Sequence, residues 1–524
     1  MSLARPALAV GLAGAVSRIL GYVRDVLLAA TFGAGPAVEA FLAALRLPDA
    51  LRRILSDGGL NGVLTPLYLQ LKLRDGDEAA AGFARDCIAG GAIVLALVAG
   101  VMALCAGALV ALAAPGLGAA PEIAATASRW FAVMTPFMAF TTLASLAGAF
   151  LNAERRFLIP ALAPAVMNAV LVVAWLLVPA ITTTPERMGA IMAAALSAAG
   201  AVQLALALGQ TGRITAHARL WLAARSREVI GRALRVMAPA MVASAGIPLV
   251  GVAGAAVASR EQGALVWFYY AERLFGLPLS LGSVVIGSVV LTRLSEGRAM
   301  AETTGAPPRD GALDVHLSLA LAWGFPAATG LALVAAPAVD VLFRRGAFET
   351  ADVAATAAIL AWLAPGLPAA LAARVFQQQL LARGDVWIAA LSGAAGIVAT
   401  AAAAAAAQAR WGAPGLGCGV SVGMAVLCLG NCVATAARCG WRPGWRLGRQ
   451  LALQAGAATV MGCVLALALS WIASRMQHAG DAGRMLSVLA LCAGGAATYG
   501  LLAWATGALP KPGDDGQLRR RKRT

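Results

Sequence analysis

Apolar positions along this chain fall into long blocks divided by short polar or basic stretches, and roughly 20 such residues are what a helix needs to cross about 30 Å of hydrocarbon. About fourteen blocks stand out, near 7–31, 37–71, 87–113, 128–151, 158–179, 189–209, 232–258, 264–292, 316–343, 352–381, 386–408, 415–437, 450–473 and 484–508. The pattern predicts an all-α, polytopic membrane protein with about 14 transmembrane helices. The blocks 37–71 and 264–292 are long and contain Pro48 and Pro278, which predicts a kink in each. Met1 to Ser17 has the basic, apolar and small residues of a secretion signal. The apolar run continues past Arg18 and Arg24, so it reads instead as the first transmembrane helix.

Sliding the chain against itself by 227 residues aligns 41–67 with 268–294 without a gap. Nine pairs match: Phe41/Phe268, Ala44/Ala271, Arg46/Arg273, Leu47/Leu274, Ser56/Ser283, Val63/Val290, Leu64/Leu291, Thr65/Thr292 and Leu67/Leu294. The second span then corresponds to the eighth. This predicts two pseudo-symmetric six-helix lobes, 1–212 and 228–440, related by an axis along the membrane normal. The last two spans, within 445–508, are appended to the lobes, and 509–524 is a basic cytoplasmic tail expected to be disordered and drawn to anionic lipid.

Composition places these helices in lipid. Hydrophobic residues make up 60% and charged residues 13%, with a mean hydropathy of +0.78, whereas soluble chains sit near 45–50% and about 25%. One globular core cannot bury that excess. A secreted disulfide scaffold, a DNA-binding domain and an ordinary cytosolic enzyme are excluded. The net charge of +16 would suggest nucleic acid in a soluble chain, but here the distribution decides. With both termini cytoplasmic, the cytoplasmic segments hold about 24 Lys and Arg and the outer loops about 6, as the positive-inside rule requires. No nucleic-acid partner is expected.

Charges inside the spans are the informative anomaly, because an arginine at the centre of a membrane helix costs about 2.5–3.5 kcal/mol on insertion scales. Arg18, Arg24, Arg46, Arg52 and Arg53 crowd into the first two spans, and Arg273 lies in the eighth. Arg46 and Arg273 are expected near the membrane midplane. Asp25, Glu39, Asp49, Asp57 and Glu272 accompany them, and Arg53 with Asp57 has the i,i+4 spacing that lets side chains meet. The first two spans keep an excess of one positive charge, five arginines against four acids. Guanidinium is planar, stays charged and matches phosphate oxygens two at a time, so an anionic, phosphorylated ligand is the natural complement. Arg18 and Arg24 are six positions apart and face different ways on a straight helix. Either this helix, with Gly11, Gly14 and Gly21, bends, or the two arginines meet different partners. Mutual salt bridging and snorkelling explain Arg232, Arg235 and Arg484 near span ends, but not the central set.

No catalytic constellation appears. His217, His316 and His478 fall in loops or at span ends, and no His-Cys-carboxylate cluster, P-loop or nucleophile elbow is present in the sequence. Asp514-Asp515 reads as a solvated pair. The eight cysteines, including Cys428 and Cys432 on one helical face, read as small buried hydrophobes. The alanine-rich run 399–407 reads as a closely packed helix, and Trp411, Trp441 and Trp445 as interfacial anchors. Movement rather than chemistry is the expected task, with no cofactor.

Three stretches carry a family resemblance: Ser17-Arg18-Ile19-Leu20-Gly21-Tyr22-Val23-Arg24-Asp25, then Phe32-Gly33-Ala34-Gly35, then Leu47-Pro48-Asp49 through Leu51-Arg52-Arg53-Ile54-Leu55. Together with Tyr269-Tyr270-Ala271-Glu272-Arg273-Leu274 and Leu342-Phe343-Arg344-Arg345-Gly346-Ala347-Phe348, they resemble the MurJ (MviN) lipid II flippases. That resemblance implies a member of the multidrug/oligosaccharidyl-lipid/polysaccharide exporter superfamily, with two lobes around a cationic cavity and two extra helices forming a groove for the polyprenyl tail. It maps the substrate-binding arginines onto Arg18, Arg24, Arg52 and Arg273, and a functional acid onto Glu39, with Ser17, Asp25, Arg53, Asp57 and Glu272 in support. This sequence departs from the family pattern at Glu39, usually Asp, and at Asp57, usually Glu. Trp387-Ile388 replaces the usual Thr-Pro after Arg383-Gly384-Asp385.

The implied partners are lipid II and membrane lipids, with other cell-wall synthesis proteins as candidates. The implied route is alternating access in the bacterial inner membrane, and coupling to the membrane potential or to a monovalent cation stays open. A flippase for another polyprenyl-linked saccharide would use the same arginines, whereas a multidrug antiporter would want an acid-rich site. A membrane enzyme acting on polyprenyl diphosphate would need carboxylates or a nucleophile, and a structural scaffold would tolerate loss of the arginines. Arginines each neutralised by their own carboxylate would leave an anionic head group no seat.

Overall fold

The computed structural model describes residues 4–57, 60–215, 231, 235, 237–239, 241–282, 311–478 and 480–509. Among them the regular structure is helical, without a strand. Nine of the described helices are long and apolar enough to cross a membrane, or up to 11 if each of two bent pairs is one span. Pro36–Asp57, with six charged residues along its length, is not one of the nine. The chain packs as two units, Met1–Val266 with Phe343–Asp352, and Trp267–Leu342 with Val353–Thr524.

In the first unit, Ala4–Phe32 is one uninterrupted helix packed on Leu158–Ile181, and Pro36–Asp57 packs on Pro121–Ala153. The second of these helices runs through Pro48. Phe32, Phe41 and Trp175 meet edge to face, with Phe32 and Trp175 centred 5.4 Å apart, contacts worth about 0.5–1.5 kcal/mol each beyond burial. Tyr68, Phe83 and Phe150 form a second aromatic core among Leu60–Asp75, Asp77–Leu104 and Pro121–Ala153. The helix expected to begin near 87 begins at Asp77. Gly76, at φ 89°, breaks the chain there, and Asp77 and Glu78 place negative charge on the first turn, where the helix dipole favours it. Ile93, Val94, Leu97, Val101 and Leu104 remain exposed on this helix, an apolar face of the kind that lipid covers.

In the second unit, Trp445–His478 and Asp481–Ala505 pack on one another and on Gly311–Leu333. Gln454 pins them, its amide nitrogen donating to Ser318 Oγ at 3.1 Å and to the Ala508 carbonyl at 3.1 Å. Val386–Trp411 lies along Pro414–Cys439 in a seam of small residues. A Cβ at Gly415, Gly419, Gly423 or Gly430 would run into Ala407, Ala404, Thr400 or Ser392 respectively, so the alanine-rich run is a close helix contact.

Several expectations change. The span at 352–381 is two helices, Thr350–Leu363 and Gly366–Arg383, bent by 45°; Pro365 between them has no N–H to continue the ladder. Trp441 is not an interfacial anchor but 8% exposed, and its indole N–H donates to Asp314 Oδ1 at 2.8 Å. Trp445, 83% exposed, and Trp411, stacked on Trp362, keep open faces. Of the cysteines only Cys87 is fully buried; Cys428 and Cys432 are half-buried, and Cys105, Cys463 and Cys492 are exposed. Where the repeat is described, Phe41 and Phe268, and Ala44 and Ala271, are all buried, while Arg46 and Arg273 are both half-buried. Ser283, Val290, Leu291, Thr292, Leu294, Arg232, His217, the Asp57 side chain, Asp514-Asp515 and the basic tail lie outside the described residues.

A polar latch closes one end of the first unit. Glu154 Oε1 accepts from Lys72 Nζ at 2.6 Å and from the Tyr68 hydroxyl at 2.7 Å, and Asp77 pairs with the same lysine at 3.3 Å. Burial works against the Glu154 carboxylate, but the hydrogen bonds from Lys72 and Tyr68 outweigh it and hold its pKa below the ordinary value. The bond to Glu154 holds Lys72 above its own, against a smaller opposing effect of burial. A depressed acid stabilises above its unfolded pKa and loses that contribution as pH falls; a raised lysine stabilises below its unfolded pKa and loses it as pH rises. The latch is therefore complete between about pH 5 and 10. Acidification from neutral to about pH 4 is expected to lower the melting temperature by about 1–2 °C more in the native protein than in Glu154→Gln. Parallel curves for the two proteins would deny the latch its role.

Candidate functional site

The arginines of the first two helices are held in distinct ways. Arg24 sits on the face of Ala4–Phe32 that packs against Leu158–Ile181. Its Nε and Nη2 donate to Asp25 Oδ1 at 3.0 and 2.7 Å, and its Nη1 donates to Asn168 Oδ1 at 2.9 Å. Asn168 in turn donates from Nδ2 to the Ser17 carbonyl at 3.0 Å. Ser17, Arg24 and Asp25 are thus brought together by a residue of another helix. A guanidinium has five N–H donors, so three engaged here leave two. Arg18, two turns away on the same continuous helix, is exposed and makes no side-chain hydrogen bond or ion pair among the described residues. The helix does not break between them; the two arginines have different surroundings.

On Pro36–Asp57, Asp49 serves two arginines. Oδ1 accepts from Arg52 Nη2 at 2.8 Å and Nε at 3.1 Å, and Oδ2 accepts from Arg53 Nε at 2.9 Å. The Arg52 guanidinium also lies 5.9 Å from the centre of the Phe137 ring, within cation–π reach. Arg53 turns back to Asp49 at i−4; whether it also meets Asp57 lies outside the described side chains. In these bonds the guanidiniums of Arg24, Arg52 and Arg53 meet the two carboxylates of Asp25 and Asp49. One carboxylate, Asp49, is divided between two arginines.

Glu39 lies apart from this set. It occupies the first turn of its helix, is 5% exposed, and its Oε1 accepts from the Gly263 backbone N–H. In the second unit, Arg273 is half-buried, its Nε donating to the Tyr269 hydroxyl at 3.2 Å and its guanidinium 5.2 Å from the centre of that ring. Glu272 beside it is also half-buried.

Sequence reasoning missed Asn168 and the division of Asp49. Asn168 carried a signal, since it is the one amide in the apolar block 158–181 and polar side chains in such blocks tend to bind other helices. The other resemblance-bearing stretches have structural roles. Ala347 N–H donates to the Ala30 carbonyl at 3.0 Å, and Gly346 and Gly33, at φ 58° and 57°, permit that approach. An open notch of about 390 Å³ borders Arg344, Arg345 and Glu349, and its lining includes none of Arg18, Arg24 or Arg52. In the 383–387 loop, Gly384 at φ 83° closes the Gly366–Arg383 helix, and the next helix starts at Val386.

A family model described as lipid II flippase MurJ matches residues 28–491. A probable lipid II flippase MurJ from Rhizobium tropici is 30% identical over 391 residues, 74% of this chain and 72% of the relative. The lipid II flippase MurJ of Burkholderia cenocepacia is 28% identical over 397 residues, 74% of each chain. Among solved structures, a lipid II flippase MurJ in an inward closed conformation superposes with a TM-score of 0.73 at 18% identity, covering 95% of this chain and 98% of that one. An inward-facing multidrug resistance MATE transporter gives 0.60 at 15% identity, with 81% and 94% covered.

Proposed function

We infer from its place in the lipid II flippase MurJ family, to which this chain belongs, that the protein is a multi-pass membrane transporter that carries lipid II from the inner to the outer leaflet of the cytoplasmic membrane. The head group of such a lipid cannot cross hydrocarbon alone, because its polar groups would lose their hydrogen bonds there. The observation that carries the reading is the pair of arginines on the first helix: Arg18 is exposed, with no side-chain ion pair among the described residues, and Arg24 keeps two N–H donors beyond its bonds to Asp25 and Asn168. A diphosphate is the chemical complement of such forks.

On this reading Arg18, Arg24, Arg52 and Arg273 are the arginines that bind the substrate's diphosphate during alternating access. The polyprenyl tail stays in lipid along the two helices of 445–508, and both termini stay cytoplasmic. The charge preference favours a polyprenyl diphosphate over a cationic drug. An anion moving outward in an inside-negative cell gains about 2.3 kcal/mol per charge per 100 mV. Two charges crossing the whole field would gain about 4–5 kcal/mol.

Reconstitution into vesicles tests both parts. Arg18→Ala and Arg273→Ala are expected to lose export of lipid II while inserting normally, and collapsing the potential is expected to slow the native protein severalfold. Export at the native rate by both variants would overturn the diphosphate grip. An unchanged rate in depolarised vesicles would remove the electrical drive alone.

A further inference from the structure

We infer that Asn168 is a positioning residue for substrate recognition, setting the Arg24 guanidinium in the orientation that meets the diphosphate. The inference rests on the reading of Arg24 as part of the anion grip. Asn168 is 6% exposed on Leu158–Ile181 and reaches 144 residues back along the chain to Arg24. Its amide does two jobs at once: Oδ1 accepts from Arg24 Nη1 and Nδ2 donates to the Ser17 carbonyl.

Few side chains can do both. A carboxylate accepts but has no N–H to give the carbonyl, and a hydroxyl does not present an acceptor and a donor at the two ends of a rigid plane. The amide is also neutral, so it orients the guanidinium without cancelling charge. Asp25 already supplies a close carboxylate, on the opposite edge of the fork. Held on both edges, the planar group cannot turn about its long axis, and its two remaining N–H groups keep one direction.

The seat is fitted as well. Gly21 faces the amide on the turn between Ser17 and Arg24, and a Cβ there would stand 3.1 Å from Asn168 Nδ2. A bare Cα at this position lets the amide lie flat against the helix and span the two partners. Gly21 therefore belongs to the same device, and enlarging it disturbs the amide without deleting it.

The test uses the full chain in vesicles with lipid II as the probe, measuring initial export rates against substrate density for Asn168→Ala, Gly21→Val, Arg24→Ala and the Arg24→Ala/Asn168→Ala double variant. Asn168→Ala and Gly21→Val are each expected to raise KM about tenfold with the maximal rate nearly unchanged, the signature of lost binding geometry rather than lost turnover. The double variant is expected to be no worse than Arg24→Ala, because the amide acts through the arginine. Should Asn168→Ala fail to insert, Asn168→Asp, which keeps the shape and the acceptor but loses the donor, is measured in its place and is expected to raise KM similarly. The inference is overturned if the Asn168 variant leaves KM unchanged, or if it costs the same factor whether or not Arg24 is present. Native export by Arg24→Ala would sink the anion grip and this inference together, whereas an inactive Arg24→Ala beside an unaffected Asn168 variant would sink this inference alone.

Discussion

Arg24→Ala is expected to reduce lipid II export by about 100-fold or more. The change removes the donors free to meet a diphosphate and takes the guanidinium away from Asp25, which is only 6% exposed. Losing hydrogen bonds between charged groups at a buried acid destabilises by about 1.5–3 kcal/mol, so transport and melting temperature should fall together. The Arg24→Ala/Asp25→Asn double variant separates the two effects. Removing the acid as well restores part of the melting temperature, while export stays low because the Arg24 share of the anion grip is gone. Arg24→Lys should fall between, since an ammonium keeps the charge but cannot serve Asp25 and Asn168 from two edges of one plane. Recovery of export along with stability in the double variant would mean that Arg24 matters for folding alone.

Gly419→Val is expected to cost about 3 kcal/mol of stability or more, the largest structural effect among conservative changes. Gly419 lies where Pro414–Cys439 meets Val386–Trp411, and any Cβ there is directed into the backbone of Ala404. Backbone cannot move aside as a flexible side-chain tip can, so the two helices must separate along the seam that Gly415 and Gly423 share. The loss falls on dispersion contact rather than on water exclusion, because lipid tails are as apolar as the side chains they would replace. Melting in detergent should drop by several degrees, and Ala404→Gly in the same chain should return part of it by giving the new Cβ room. A melting curve that matches the native protein would show that the seam is slack.

Both predictions bear on how much could be read beforehand. The alanine-rich run 399–407 and the glycines of 415–430 announced close packing, because small residues serve few other purposes in a membrane helix. Their pairing, Gly419 against Ala404 and Gly430 against Ser392, needed the relative register of two helices. The arginines were legible for a similar reason, since charge in an apolar block is costly enough to stand out. Their partners were not. Arg53 could meet Asp49 or Asp57 at the same spacing in either direction, and the i,i+4 rule has no preference strong enough to choose. The packed structure brings Asp49 between Arg52 and Arg53. Trp441 was misread for the opposite reason: a tryptophan at the end of an apolar block usually meets the interface, and only the fold supplied Asp314 as a half-buried acceptor.

By itself the sequence determined the medium, the helical class, the excess of guanidinium over carboxylate at the start of the chain, and the stretches that carry the family likeness. These are local properties of length, hydropathy and charge, and they survive any arrangement of the helices. Only the tertiary structure decided that Asn168 bridges Ser17 and Arg24, that Glu39 meets the Gly263 backbone N–H, and that the 352–381 span is bent. The first two join residues 144 or more positions apart. No periodicity links such positions, because the hydrogen bonds depend on which helix faces which, and that is settled by packing across the whole unit.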